Sequence, residues 1–410
     1  MTIEHTVYDQ ARLLSIKIIM AITKGLLLSS VLVYHVLATF SQLGFTLSDN
    51  DVEARTPAAR GISAVPQTMF LPRTKPFSRA SNYMPSLRGS ISGKSFTFPI
   101  DTGSTGVLIG APLLPNIRFT SKNTFGWKFL DSSSMLYSGR FVPLNITFNG
   151  AKSGQKVISR VPVLVVTKVE KCLEYNITTD KGLCPKAKLA GTGNPAKVTY
   201  MGVGFGRNVA GSGIPYGTAS HNPFLNVIRH SNFKKLFLKT GYTISTEGVY
   251  LGLTANNTAK ARWKELEKMI SKDSRAWALP LLSFVFDNLT QPIQAQALID
   301  TGVAQMYIQS SLSHPLLDVT VRDIKATPPA VRHVKPGTKL SFAFPDFNPG
   351  VAGYELVVGD MKFPSQPSYV QPVTSGRTPF VNTGRNFLYG FTIVFDAVAG
   401  RLGLICQLCK

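Results

Sequence analysis

Phe98-Pro99-Ile100-Asp101-Thr102-Gly103-Ser104-Thr105-Gly106 and Leu298-Ile299-Asp300-Thr301-Gly302-Val303-Ala304 are the two stretches that decide how this chain reads. Each sets Asp-Thr-Gly at the end of a short apolar run. The two aspartates lie 199 positions apart (300 − 101), about the length of one lobe. One such tripeptide is an ordinary turn. Two in the same local setting, one lobe apart, predict a duplicated half-site. Carboxylates brought face to face cannot both ionise cheaply, so such a pair holds one proton between them and can activate a water.

The composition is compatible with that reading. At 410 residues the chain has room for two domains or one large bilobal unit. Apolar residues make up 44% and charged residues 16%, enough for a sizeable core and against global disorder. With 34 Gly and 26 Pro and few long helical patterns, a turn-rich, mostly β fold is expected. The net charge of +22 implies either a basic surface without a specific partner or attraction to anionic material, such as a cell-surface polysaccharide, lipid headgroups or acidic proteins. Nucleic acid is not expected, because the basic residues are scattered and show neither interleaving with aromatics nor finger spacing.

The amino terminus carries a 16-residue apolar stretch, GLLLSSVLVYHVLATF at 25–40, preceded by Lys17 and Lys24. That is short of the roughly 20 residues a spanning helix needs. Residues 1–41 are therefore read as a secretory signal peptide, with Met20 a possible true start and a retained membrane anchor the alternative. Residues 42–78 are polar and proline-containing and read as a linker or propeptide. Of the four cysteines, Cys172 and Cys184 bracket a polar loop and are expected to pair. Cys406 and Cys409 form a terminal CxxC that closes on itself or pairs elsewhere. The spacing of the four does not suit a zinc ribbon, and neither metal nor cofactor is expected. Sequons at Asn145, Asn176, Asn256 and Asn288 fit a glycoprotein.

Further along, alternating runs predict strands at 95–100, 140–148, 156–166 and 248–253. Trp263, Leu266, Met269 and Ile270 recur at helical spacing and predict a helix over 258–274 between an N-terminal lobe, 79–258, and a C-terminal lobe, 259–410.

Together the two Asp-Thr-Gly segments, the glycine strands Gly202-Val203-Gly204-Phe205-Gly206 and Gly248-Val249-Tyr250-Leu251-Gly252, and the ending Gly384–Asp396 resemble the pepsin-like aspartic proteases over roughly residues 80–408. The resemblance implies two pseudo-symmetric β-lobes flanking a cleft. It implies Asp101 and Asp300 as the catalytic pair, with neither assigned as base or acid. It also implies that Thr102 and Thr301 cross-link the two loops, that Gly103 and Gly302 admit backbone N–H groups to the carboxylates, and that Ser104 bonds its aspartate. A monomer acting on a protein or peptide substrate follows.

The chain departs from the family pattern in four places. Val303 stands where a hydroxyl usually follows the second Asp-Thr-Gly, so Asp300 is expected to lack a partner that Asp101 keeps. Ser132 takes the position of the flap tyrosine, with Tyr137 nearby but displaced. Leu108 replaces the tryptophan that partners that tyrosine. Arg385 replaces the acid after Gly384, in a segment that reads Asn382-Thr383-Gly384, and is expected to pair with a surface acid or to face an acidic substrate group. Two functions remain open from sequence: a secreted aspartic endopeptidase, and a protein of the same fold that binds a partner with weak or no proteolysis.

Overall fold

The computed structural model describes residues 67–205, 217–230, 238–287, 289, 291–310, 316, 318–322, 330–373 and 378–407. The apolar stretch at 25–40, Met20, Asn288 and Cys409 lie outside them. The described chain is mostly β. No helix among the described residues is long and apolar enough to cross a membrane.

Three larger sheets organise it. A nine-stranded sheet is built wholly from residues 86–230, and a seven-stranded sheet wholly from residues 281–382. The third is a six-stranded antiparallel sheet that draws on both ends of the chain. Its order is Met69–Pro72, Gly248–Leu251, Gly241–Ile244, Phe391–Asp396, Arg401–Cys406 and Arg262–Glu265. The division expected at residue 258 thus falls inside a shared sheet.

The strand that delivers the first Asp-Thr-Gly, Lys94–Asp101, buries Phe96, Phe98 and Ile100 while Lys94, Ser95 and Thr97 face solvent. This is the period-two alternation of a half-covered strand. It is folded back on Ser86–Ile91 through a two-residue turn, Ser92-Gly93, in which both residues have positive φ, 50° and 80°. That backbone suits the twist of a tight hairpin. The second delivering strand, Ile293–Leu298, buries Ile293, Ala295 and Ala297 and exposes Gln294 and Gln296, and it is likewise the second arm of a hairpin, with Leu281–Phe286.

The two halves repeat the same pairing. Lys94–Asp101 runs parallel to Thr199–Val203, which is antiparallel to Thr105–Gly110, which is parallel to Lys156–Cys172. In the second half Ile293–Leu298 runs parallel to Phe380–Asn382, which is antiparallel to Met306–Gln309, which is parallel to Val370–Pro372. The return strands in both halves approach the Asp loop through a glycine with no room for a Cβ. A Cβ at Gly202 would meet Ser104 Oγ at 2.5 Å, and one at Gly384 would meet the Gln305 carbonyl at 2.5 Å.

Two expectations are corrected. The helix over 258–274 does not form. A capping box at Thr254 and Asn257 supports a single helical turn, Ala255–Thr258, after which Arg262–Glu265 pairs with Arg401–Cys406. Trp263 lies under the Arg401 guanidinium at 4.0 Å, and Ile270 is 94% exposed, so the apolar residues do not share one helical face. Tertiary pairing at the sheet edge overrides the local pattern. Of the segment 42–78, read as a linker or propeptide, residues 42–66 lie outside the described residues, and 69–72 are not a free linker. Met69–Pro72 is an edge strand of the shared sheet, and the Arg73 guanidinium donates to the carbonyls of Ser245 and Thr246.

Candidate active site

The ends of the two delivering strands meet. The Thr102 amide donates to Thr301 Oγ1 at 3.1 Å, and the Thr301 amide donates to Thr102 Oγ1 at 3.0 Å. Each hydroxyl then donates across to the opposite strand: Thr102 Oγ1 to the Ile299 carbonyl at 2.5 Å, and Thr301 Oγ1 to the Ile100 carbonyl at 2.8 Å. Both threonines are 1% exposed. In a dry setting each of these bonds matters more than at the surface, because a lost partner would leave a buried donor or acceptor unpaired.

This cross-link sets the carboxyl groups of Asp101 and Asp300 within hydrogen-bonding reach of one another, both buried. The Gly103 amide donates to Asp101 Oδ1 at 2.6 Å, and the Gly302 amide to Asp300 Oδ1 at 2.7 Å. Neither glycine tolerates a side chain. A Cβ at Gly103 would overlap the Asp300 carboxyl, and one at Gly302 would meet Asp101 Oδ1 at 2.5 Å. Burial, then the charge of Asp300 and the bond to it, push the Asp101 carboxyl up to about 8, against the smaller opposing effects of Ser104 and the Gly103 amide. The pair therefore keeps one proton well above the usual carboxylate range.

The remaining oxygens have partners that the sequence did not reveal. Tyr200, on the return strand of the first half, donates its phenol to Asp101 Oδ2. Ser104 Oγ lies 3.0 Å from the same phenol oxygen. Asn382, on the return strand of the second half, donates its amide to Asp300 Oδ2 at 2.7 Å. The expected deficit at Asp300 is thus filled from another strand: Val303 supplies no hydroxyl, and Asn382 supplies an N–H instead. The only sequence signal for either residue was its place two positions before a glycine, Gly202 or Gly384.

The hairpin expected to act as a flap is formed by Phe125–Leu130 and Met135–Asn149, with Ser132 in its tip and Ser134 left-handed at φ 53°. Leu108 is buried in a cluster with Leu164, Val166, Val169 and Val198, against which Tyr137 and Tyr200 pack. An apolar cluster thus stands where a tryptophan–tyrosine hydrogen bond was looked for. The hairpin is braced from outside by the loop that the Cys172–Cys184 disulfide closes, as expected from their spacing. Tyr175 of that loop packs on Phe129 and Trp127 at 4.5 and 5.8 Å between ring centres, and Ser138 Oγ donates to the Gly182 carbonyl at 3.1 Å. Lys128 Nζ, on the hairpin's first arm, reaches the Thr105 carbonyl at 3.4 Å. Burial, and Lys128 beside it, hold His221 down to about 4, so the imidazole is neutral across most of the acidic range.

Arg385 takes neither expected role. It is 2% exposed and donates to the carbonyls of Ala80 and Ser81 at 2.6 and 3.0 Å, clamping a segment some 300 residues earlier in the chain. Asn145, Asn176 and Asn256 are exposed, as a glycan acceptor must be. Cys406 is disulfide-bonded. No protein-family model matches this chain, and no curated protein matches it either.

Proposed function

We propose that this chain is a secreted aspartic-type endopeptidase of the pepsin-like bilobal fold. The observation that carries the proposal is the reciprocal Thr102–Thr301 cross-link, which puts two buried carboxyls from duplicated loops in hydrogen-bonding reach. Such a pair has one economical chemistry. With one proton shared, the ionised carboxylate takes a proton from a water held between the two as its oxygen attacks a peptide carbonyl carbon. The protonated carboxyl gives its proton to the carbonyl oxygen, and the tetrahedral diol forms without a covalent enzyme intermediate. Collapse of the diol breaks the C–N bond as a proton passes to the leaving nitrogen, and the pair returns to its singly protonated state. The roles of base and acid belong to the pair.

The one-sheet-per-half arrangement with a third, shared sheet supports the bilobal reading. The Cys172–Cys184 disulfide and three exposed sequons support secretion and glycosylation. The substrate class is an unfolded protein or extended peptide.

The test is cleavage of an unfolded protein across pH 3–7 by the chain freed of residues 42–66. Cleavage that is lost in Asp101→Asn and in Asp300→Asn is the expected result. Absence of cleavage throughout that range would sink the proposal and leave the fold as a binding module.

A further inference from the structure

The two return strands place Tyr200 and Asn382 at matching positions. In the parallel register Asp101 lies opposite Gly202, which puts Tyr200 two residues before that glycine, and Leu298 lies opposite Asn382, two residues before Gly384. In the antiparallel register Tyr200 faces Leu108 and Asn382 faces Tyr307. Leu108 and Tyr307 each stand seven residues after their own aspartate (108 − 101 and 307 − 300). The two side chains differ in every respect except what they do: each presents one donor to Oδ2 of the aspartate in its own half.

Both donors are held in place. The Asn382 side-chain oxygen accepts the Gly384 amide at 3.0 Å, which fixes the amide so that its N–H group faces Asp300, and the residue is buried. The Tyr200 phenol donates a hydrogen bond to Asp101, and the neighbouring Ser104 hydroxyl, 3.0 Å from the phenol oxygen, also bonds the Asp101 carboxyl. Asp101, Tyr200 and Ser104 thus form one small network, whose links reinforce one another. With the Gly103 and Gly302 amides on the Oδ1 atoms, each carboxyl is held by its own half at both oxygens.

We propose that Tyr200 and Asn382 are a matched pair of positioning residues that fix the planes of the two carboxyls and set where the shared proton is lost. This rests on the endopeptidase reading for its consequence in turnover, but not for its effect on the aspartates themselves. A hydrogen bond to the charged form of an acid favours that form. Removing either donor therefore makes the pair hold its protons to higher pH. Among the described residues the titratable or charged groups facing the pair are the aspartates themselves, Tyr200, Tyr307, which feels the Asp300 charge, and Arg385, which feels it too.

The experiment is a carboxyl titration by 13C NMR on the full chain labelled at aspartate, comparing the parent with Tyr200→Phe and Asn382→Leu. The Asp101→Asn and Asp300→Asn spectra assign the two signals. Thermal unfolding confirms that each variant is folded, and Asn382→Ala serves if leucine is not accommodated. Each variant is expected to raise the first ionisation of the pair by about one pH unit, a tenfold change in the ionisation constant. In turnover, the acidic limb of the kcat profile moves up in step by about one pH unit, so that kcat falls about tenfold on the acid side of that limb, with KM within about twofold. A folded variant of either residue that leaves the titration in place overturns the proposal. A purely structural role would lower thermal stability and leave the titration where it was. A shifted titration in a chain that cleaves nothing upholds the two donors and sinks the endopeptidase reading; cleavage with an unshifted titration does the reverse.

Discussion

Replacing Thr301 by valine deletes one hydroxyl and keeps the outline of the side chain, so it isolates the cross-link between the two loops. In the parent that hydroxyl accepts from the Thr102 amide at 3.1 Å and donates to the Ile100 carbonyl at 2.8 Å, in a site where Thr301 is 1% exposed. Thr301→Val leaves the donor and the acceptor buried without this partner. Each such orphan costs on the order of 1–3 kcal/mol, so the substitution should destabilise by about 2–5 kcal/mol and lower Tm by about 2–6 °C. Thr301→Ser keeps the hydroxyl and loses one buried methyl, for about 1 kcal/mol. Urea unfolding of the two variants, of Thr102→Val and of the double valine variant completes the comparison. Because the two threonines serve one network, the double variant should be less damaging than the sum of the singles by about 1 kcal/mol or more. A Thr301→Val protein within about 0.5 kcal/mol of the parent, a serine variant as unstable as the valine one, or strict additivity would refute the reasoning.

Other outcomes follow from the same contacts. Burial, and then the charge of Asp300, raise Asp101 from the ordinary 3.8 to about 8, so the folded chain keeps a proton that the unfolded chain releases. The stability this contributes is fully present below pH 3.8 and is lost as pH rises toward 8; urea unfolding at several pH values should show that decline, and Asp101→Asn should flatten it. Serine at both Cys172 and Cys184 opens a loop with a sequence separation of 12, costing about 3 kcal/mol on the loop-entropy account. Hydrogen exchange of the Phe125–Leu130 arm should quicken, and an unchanged rate would mean the loop does not brace the hairpin. Arg385→Met removes both donors to the Ala80 and Ser81 carbonyls, at about 2–3 kcal/mol. Limited proteolysis under native conditions should then cut between residues 78 and 84, where the parent resists.

What was legible in the sequence was what a short segment dictates for itself. Asp-Thr-Gly after an apolar run encodes a strand end, a tight turn and a carboxyl next to its own loop amides. Two copies predicted that the copies meet, and Thr102 and Thr301 bond each other as the resemblance implied. Cys172 and Cys184 paired because a polar loop of that length closes readily. Tyr200 and Asn382 were not legible as site residues, because their role depends on parallel pairing with strands 99 and 82 positions away. A parallel neighbour leaves no local signature. Val303 misled for the same reason: a missing neighbour in sequence was replaced by a neighbour in space. The false helix over 258–274 shows the converse error, a periodic pattern overruled by a sheet edge that needed one more strand.

The central claim is that Asp101 and Asp300 work as one proton-sharing unit, and the kinetics of three variants test it most directly. Cleavage of an unfolded protein should be measured at the parent's optimum for Asp101→Asn, Asp300→Asn and the double variant, each confirmed as folded. The account predicts that each single change lowers kcat by at least about a thousandfold and that the double variant is no worse than either, since half of the pair has no function alone. A single variant that retains appreciable turnover, or losses that multiply in the double variant, would contradict it.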